Sequence, residues 1–167
     1  CIRSRKFTES RFPTSTDSLG EQLHDFRKLQ SFMPAPFSMR VLEHLRVNEI
    51  TAKQAQDVFK ALNTYLIRRY INGQDTSAIS RFFPGYLKNV ENQVETEGSY
   101  AKYADICIYY LVNETRAKST FMPDDVQIRT FLETANAYSL SYIRWILDKI
   151  EGHSLTMMLH LHLPKEL

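Results

Sequence analysis

Apolar residues recur along most of the chain at the three- and four-residue spacing of an amphipathic α-helix. The clearest case lies between Thr51 and Gly73, where a turn of about 100° per residue aligns one apolar stripe. The stripe consists of Ala55, Val58, Phe59, Leu62, Tyr65 and Leu66. Thr51 and Gln54 have the spacing of a capping box, and Gly73 suits the left-handed turn that ends a helix. The pattern predicts one long helix that is buried along this stripe.

An arginine pair interrupts the apolar end of that helix, in the stretch LNTYLIRRYING. Arg69 falls within the stripe, whereas Arg68 falls well off it. A buried unpaired charge is costly, so Arg69 needs a carboxylate, several carbonyl groups or a water-filled groove. We interpret Arg69 as a structural buried charge that fixes the order of helices. A phosphate contact by Arg68, Arg69 and Arg81 together is the alternative, and direct catalysis is a third.

Two shorter helices are predicted upstream of the long one. The first begins near Ser18, because Ser18 and Glu21 also have capping-box spacing, and the prolines of MPAPF should end it. Ser38 is a candidate cap for the second helix. Before both lies an irregular basic arm, residues 1–16, which is a solvated tail or, alternatively, an arm that touches a phosphate backbone.

Four more helices are predicted downstream. Pro84 should kink or split the first of them. This helix carries Lys88, Glu91 and Glu95 at predicted surface positions and is followed by a predicted loop at VETEGS. The next, about residues 99–114, is apolar on most faces and is predicted to be the central helix. A sixth helix begins at Pro123 and the following aspartate pair, and a seventh covers about residues 138–151.

Composition agrees with a single soluble domain. The chain has 167 residues, of which 43% are hydrophobic and 24% are charged. We predict an all-α fold, an irregular bundle of about six or seven helices over residues 17–153, followed by a C-terminal tail at 154–167. With a net charge of +2, the balance of charge alone does not indicate a nucleic-acid-binding protein. No apolar run reaches the length of about 20 residues that spans a membrane, and we expect no signal peptide.

Candidate chemistry is sparse. Cys1 and Cys107 do not make a disulfide framework, so we expect a reducing, cytoplasmic compartment. His160 and His162 could share one side of a strand, but local ligands do not complete a zinc site. We predict no catalytic residue, no metal and no cofactor. Trp145 points away from the apolar face of its helix, and it lies either between helices or at an interface with another domain.

Three stretches resemble the GmrSD-type modification-dependent restriction endonucleases. They are LNTYLIRRYINGQDTSAISRFFPGYLKNV, FMPDDVQIRTFL and YSLSYIRWILDKIEGH, and the likeness covers about residues 35–153. In that family a helical region lies between a ParB-like nucleotide-hydrolysing domain and a C-terminal HNH nuclease domain. The end of this chain, MMLHLHLPKEL, lacks the glutamate–histidine pair of the HNH signature, so no catalytic residue is carried over.

The resemblance implies that the chain is a piece of a longer DNA-cleaving enzyme. We therefore expect a non-catalytic connecting domain whose partners are other domains of the same polypeptide, with DNA as a further candidate partner. Arg68, Arg81 and Lys88 are the candidate nucleic-acid contacts, although the resemblance does not show which arginine touches DNA. The alternatives are a free-standing helical protein-interaction module and a small metal-dependent hydrolase.

Overall fold

The computed structural model describes four stretches of the chain and one further residue, namely 17–28, 34–74, 77–114, 120–134 and Leu147. Within them lie six helices and no strand. The helices are α1 (Asp17–Lys28), α2 (Ala35–Arg46), α3 (Ala52–Ile71), α4 (Ser77–Glu97), α5 (Tyr103–Glu114) and α6 (Asp125–Thr134). The prediction of an irregular all-α bundle is confirmed for the described part of the chain.

Several predicted segments lie outside the described residues. They are the basic arm 1–16, the tail 154–167 and all of the predicted seventh helix except Leu147. Leu147 has helical backbone, and its side chain is partly exposed. Among the helices of the described stretches, none combines the length and the apolarity needed to cross a membrane.

Helix α3 is the central helix of the bundle. Its whole predicted stripe is buried, and it packs against α1, α2, α5 and α6. Its first turn has a complete capping box: the Thr51 hydroxyl accepts a hydrogen bond from the backbone N–H of Gln54. In return, the Gln54 side chain accepts one from the backbone N–H of Thr51 at 2.8 Å. Beyond its end, Gly73 has a φ of +62°, the left-handed conformation that the sequence predicted.

The prediction that residues 99–114 form the central helix is wrong. Helix α5 begins only at Tyr103 and packs against α3 and α4, while Tyr109 is 61% exposed and Val112 is 48% exposed. The segment has apolar residues on nearly every face. Its periodicity therefore cannot indicate which face turns outward, and only the neighbouring helices decide this.

Helix α4 runs without a break from Ser77 to Glu97, so of the two outcomes expected at Pro84, a kink or a split, the split does not occur. A proline removes one backbone hydrogen bond, but Pro84 is exposed and its ring faces solvent. The buried side chains before and after it keep both halves packed on the same core; they are Ile79, Phe83, Tyr86, Val90 and Val94. The predicted VETEGS loop is mostly helical, and Gly98, with a φ of +63°, follows the helix end.

One of the two predicted upstream helix starts is wrong. Ser38 does not cap α2, because that helix begins at Ala35 with Pro34 as its N-cap residue, and Ser38 is buried inside it. The prolines of MPAPF thus begin α2, which suits proline since the first helical turn needs no internal N–H donor. In the described residues α1 begins at Asp17, one position from the predicted start near Ser18, so that prediction is confirmed.

Candidate functional site

Two clusters of polar side chains lie where helices meet, and the first is built around the arginine pair of α3. Arg69 is buried with 1% of its surface exposed, as its place in the apolar stripe predicted. Its Nη1 donates a hydrogen bond to the Phe121 carbonyl oxygen at 2.9 Å. The guanidinium also lies over the Tyr65 ring, 5.7 Å from its centroid, within the range of a cation–π contact. Arg69 thus joins α3 to a segment far along the chain.

We call this segment, residues 120–123, the strap. The Tyr65 hydroxyl donates to the Thr120 carbonyl at 2.8 Å, and Arg68 Nε donates to the Pro123 carbonyl at 2.7 Å. Residues spaced by three and four positions share one face of a helix, so Tyr65, Arg68 and Arg69 reach the strap together. Burial raises the pKa of Tyr65 to about 12, which keeps its phenol protonated as a donor.

Arg68 has a second role beyond the strap. Its Nη2 forms an ion pair with Asp125, the first residue of α6, and this hydrogen bond lowers the pKa of that carboxyl. The start of α6 has its own reciprocal cap, in which Asp124 Oδ1 accepts from the Gln127 N–H at 2.8 Å. Arg68, a predicted nucleic-acid contact, is therefore engaged with its own chain, and its side chain is only 26% exposed.

The other two predicted nucleic-acid contacts lie on α4. Arg81 and Lys88 are exposed and seven residues apart, so they share the outer face of that helix. The prediction that Glu91 is a surface position is wrong. Its side chain is only partly exposed and turns toward α2. Trp145, the predicted interface residue, lies outside the described residues.

The second cluster surrounds His44, which is fully buried at the end of α2. Its Nδ1 lies 2.5 Å from Glu49 Oε2, and its Nε2 lies 2.9 Å from Glu91 Oε1. Arg40 donates to both oxygens of Glu91, from Nε and from Nη2, each at 3.3 Å. The ring of His44 also packs against Tyr100, with centroids 4.8 Å apart. Four polar side chains therefore connect α2, the turn after it and α4.

The contacts of His44 require one more proton than a neutral imidazole and two carboxylates supply. Both ring nitrogens of His44 face carboxylate oxygens, yet a neutral imidazole has only one N–H donor. Satisfying both contacts takes an imidazolium or a protonated carboxyl group. Burial of Glu91 opposes its charge, but the hydrogen bonds from Arg40 and His44 outweigh burial and hold the pKa of Glu91 below its usual range.

Sequence reasoning missed this cluster. One signal was present: His44 follows Phe37 and Val41 at helical spacing, on the face of α2 that is buried. The spacing places His44 in the core, but it does not indicate a partner, because Glu91 is 47 residues away on another helix.

The pH dependence of stability tests the role of Glu91. Since its folded pKa is lowered, the unfolded chain takes up a proton first as the pH falls. In the wild-type protein, the charge of Glu91 should add to the free energy of unfolding at every pH above the ordinary carboxylate pKa. This contribution should be lost as the pH falls through the lowered pKa of Glu91 in the folded state. Glu91→Gln should be less stable at neutral pH, and its deficit should shrink below about pH 4.5. Urea unfolding between neutral and acidic pH measures this difference.

Glu95→Gln is the matched control, because Glu95 is exposed one turn further along the same helix. It should follow the wild-type profile at every pH. A deficit in Glu91→Gln that stays constant on acidification would show that the charge of Glu91 contributes nothing to stability.

The remaining reactive groups of the described stretches are not arranged as a catalytic or metal centre. Cys107 is buried, and burial raises the pKa of its thiol, which disfavours the nucleophilic thiolate. No group of three or more His, Cys, Asp or Glu side chains in those stretches could hold a metal ion. The predicted histidine pair at 160 and 162 lies outside them.

Comparisons with protein-family models, with curated proteins and with solved structures find no match for this chain.

Proposed function

We propose that the chain is a non-catalytic helical domain that connects and positions other domains of the same polypeptide, as the resemblance to GmrSD-type enzymes implies. One observation carries the proposal: in the described stretches, the buried His44 and Arg69 side chains are used to hold helices together. His44 is fully buried and engaged by two carboxylates, and Arg69 is buried against the strap. Neither side chain can reach a substrate without local unfolding.

These contacts favour a rigid connector. Each joins parts of the chain that are far apart in sequence, since Arg69 and Phe121 are 52 residues apart and His44 and Glu91 are 47 apart. Satisfied buried polar groups fix the relative position of the elements that carry them more narrowly than apolar packing alone. A domain that positions its neighbours needs such a fixed geometry.

DNA is the proposed substrate of the whole polypeptide, so a weak backbone contact by this domain belongs to the proposal. The exposed pair Arg81 and Lys88 is the part of the described surface that we assign to it. Because phosphate contacts release counterions, they would show as a dependence of affinity on salt concentration.

The nuclease test uses the purified 167-residue chain with a DNA duplex and either Mg²⁺ or Mn²⁺. We expect no cleavage, since neither His44 nor Arg69 is accessible to a substrate. A metal-dependent nuclease in the same buffer is the positive control. Metal-dependent cleavage by the purified chain would overturn the non-catalytic assignment.

The DNA-binding test is a titration across salt concentrations. If Arg81 and Lys88 contact phosphates, replacing both with alanine should lower the slope of log affinity against log salt by about 2. The matched control replaces Lys60 and Lys102, which are also exposed but lie on α3 and just before α5. If the wild type and both double variants have equal slopes, the α4 face does not contact DNA.

A free-standing protein-interaction module is the second candidate, and the exposed Tyr109 and Val112 on α5 favour it. The coding sequence on either side of this segment discriminates between the two. A ParB-like motif upstream and an HNH motif downstream would support the connecting domain, and their absence would support the module.

A further inference from the structure

We propose that α6 is an arm that opens separately from the rest of the bundle, and that Arg68 is the latch that holds it closed. The inference is independent of any contact with DNA. It rests on how α6 is attached, compared with how the strap before it is attached.

Helix α6 contributes no buried residue to the core. Val126 is 73% exposed and Leu132 is 44% exposed, although both are large apolar side chains. By contrast, the central helix α3 buries its whole apolar stripe. Because burial of apolar surface supplies most of the stability of a helix in a protein, α6 is held far less firmly than α3.

Among the described residues, an apolar contact and an ion pair join α6 to the C-terminal end of α3 and the turn after it. One is apolar: Phe131 packs beside Gly73, where a Cβ atom would lie 3.2 Å from the Phe131 Cζ. The other is the ion pair between Arg68 and Asp125, whose carboxylate side chain is 88% exposed. An ion pair this accessible to water is weak and is screened by salt.

The strap, in contrast, is fixed at the side of α3. Thr120 and Pro123 are buried, and Met122 packs against the core. The strap also accepts the hydrogen bonds of Tyr65 and Arg69, which both come from buried side chains. The chain therefore passes from a firmly held segment to a loosely held helix between Pro123 and Asp125, and this is where the arm would pivot.

Arg68 is placed at that pivot. Its guanidinium donates from Nε to the Pro123 carbonyl and from Nη2 to the Asp125 carboxylate, so a single side chain spans the fixed and the movable part. Loss of the Nη2 contact would release the arm and leave the strap in place. Elements held by few buried contacts open locally without global unfolding.

Native-state hydrogen exchange on the full chain tests the proposal. In the wild-type protein, amides 129–134 should exchange faster than amides 58–66 of α3 through an opening that does not involve α3. In Arg68→Ala, exchange in α6 should become about fivefold faster while exchange in α3 stays unchanged. Raising the salt concentration from about 0.05 M to about 0.5 M should speed α6 exchange in the wild type but not in Arg68→Ala.

Arg46→Ala is the matched control, because Arg46 makes an ion pair with Glu43 within α2 whose two side chains are also accessible to water. It should leave exchange in α6 unchanged. Asp125→Ala removes the other side of the latch, and it should reproduce the effect of Arg68→Ala. The proposal is overturned if α6 and α3 exchange through one common opening, or if both latch variants leave exchange in α6 at the wild-type rate.

Discussion

Replacing Arg69 with alanine should lower the free energy of unfolding by about 4 kcal/mol. The side chain is 1% exposed, so truncation removes a large buried volume in the middle of the apolar stripe. It also removes the donor to the Phe121 carbonyl and the cation that lies over the Tyr65 ring. Chemical denaturation at neutral pH measures the loss as a fall in the denaturation midpoint.

Arg69→Met separates volume from hydrogen bonding, because methionine restores most of the buried volume without a donor. We expect it to recover part of the stability and to remain about 2 kcal/mol below the wild type. Arg68→Met is the matched control, since Arg68 is one position along and partly exposed, and it should cost less than about 1 kcal/mol. If Arg69→Met is as stable as the wild type, Arg69 acts only as a space-filling side chain and not as a structural charge.

Replacing His44 with alanine should lower the free energy of unfolding by about 3 kcal/mol. The change removes the group between Glu49 and Glu91, so two carboxylates lose a shared partner in a partly buried site. It also leaves a cavity beside Tyr100 and Tyr103, whose rings pack on the imidazole. Exposed His24 on α1 is the matched control, and His24→Ala should change stability by less than about 0.5 kcal/mol.

A double-mutant cycle isolates the contact between His44 and Glu91. The two single alanine variants and the double variant should give a coupling energy of about 1–2 kcal/mol, because the side chains touch and belong to one network. A coupling energy near zero, or a His44→Ala variant as stable as the wild type, would show that this cluster does not hold α2 to α4.

The arginine pair shows how far sequence reasoning reached into the candidate site. The burial of Arg69 was predicted, since helical periodicity places it on the same stripe as Leu62 and Leu66. Its acceptor was not predicted, because the strap carbonyl belongs to Phe121, 52 residues away. For the same reason the sequence predicts an outside partner for Arg68, which lies off the stripe, and does not predict its pairing with Asp125.

The proline-containing segments show a second limit. Local rules treat a proline as a stop, but Pro84 lies inside α4, where flanking buried side chains keep the helix continuous. Pro34 and Pro36 begin α2, although they were expected to end the helix before it. A proline suits the first turn of a helix as well as the end of the previous one, so the choice depends on what the neighbouring turns pack against.

The sequence by itself determined the all-helical class, the course of α3, its capping box and the burial of Arg69, because these depend on contacts within a few turns of one helix. Only the tertiary structure decided which helix is central, that His44 bridges Glu49 and Glu91, and that Arg68 pairs with Asp125 of α6. The last two depend on residues brought together from distant parts of the chain. Hydrophobic periodicity indicates which face of a helix is buried. It does not indicate which residues of other helices that face contacts.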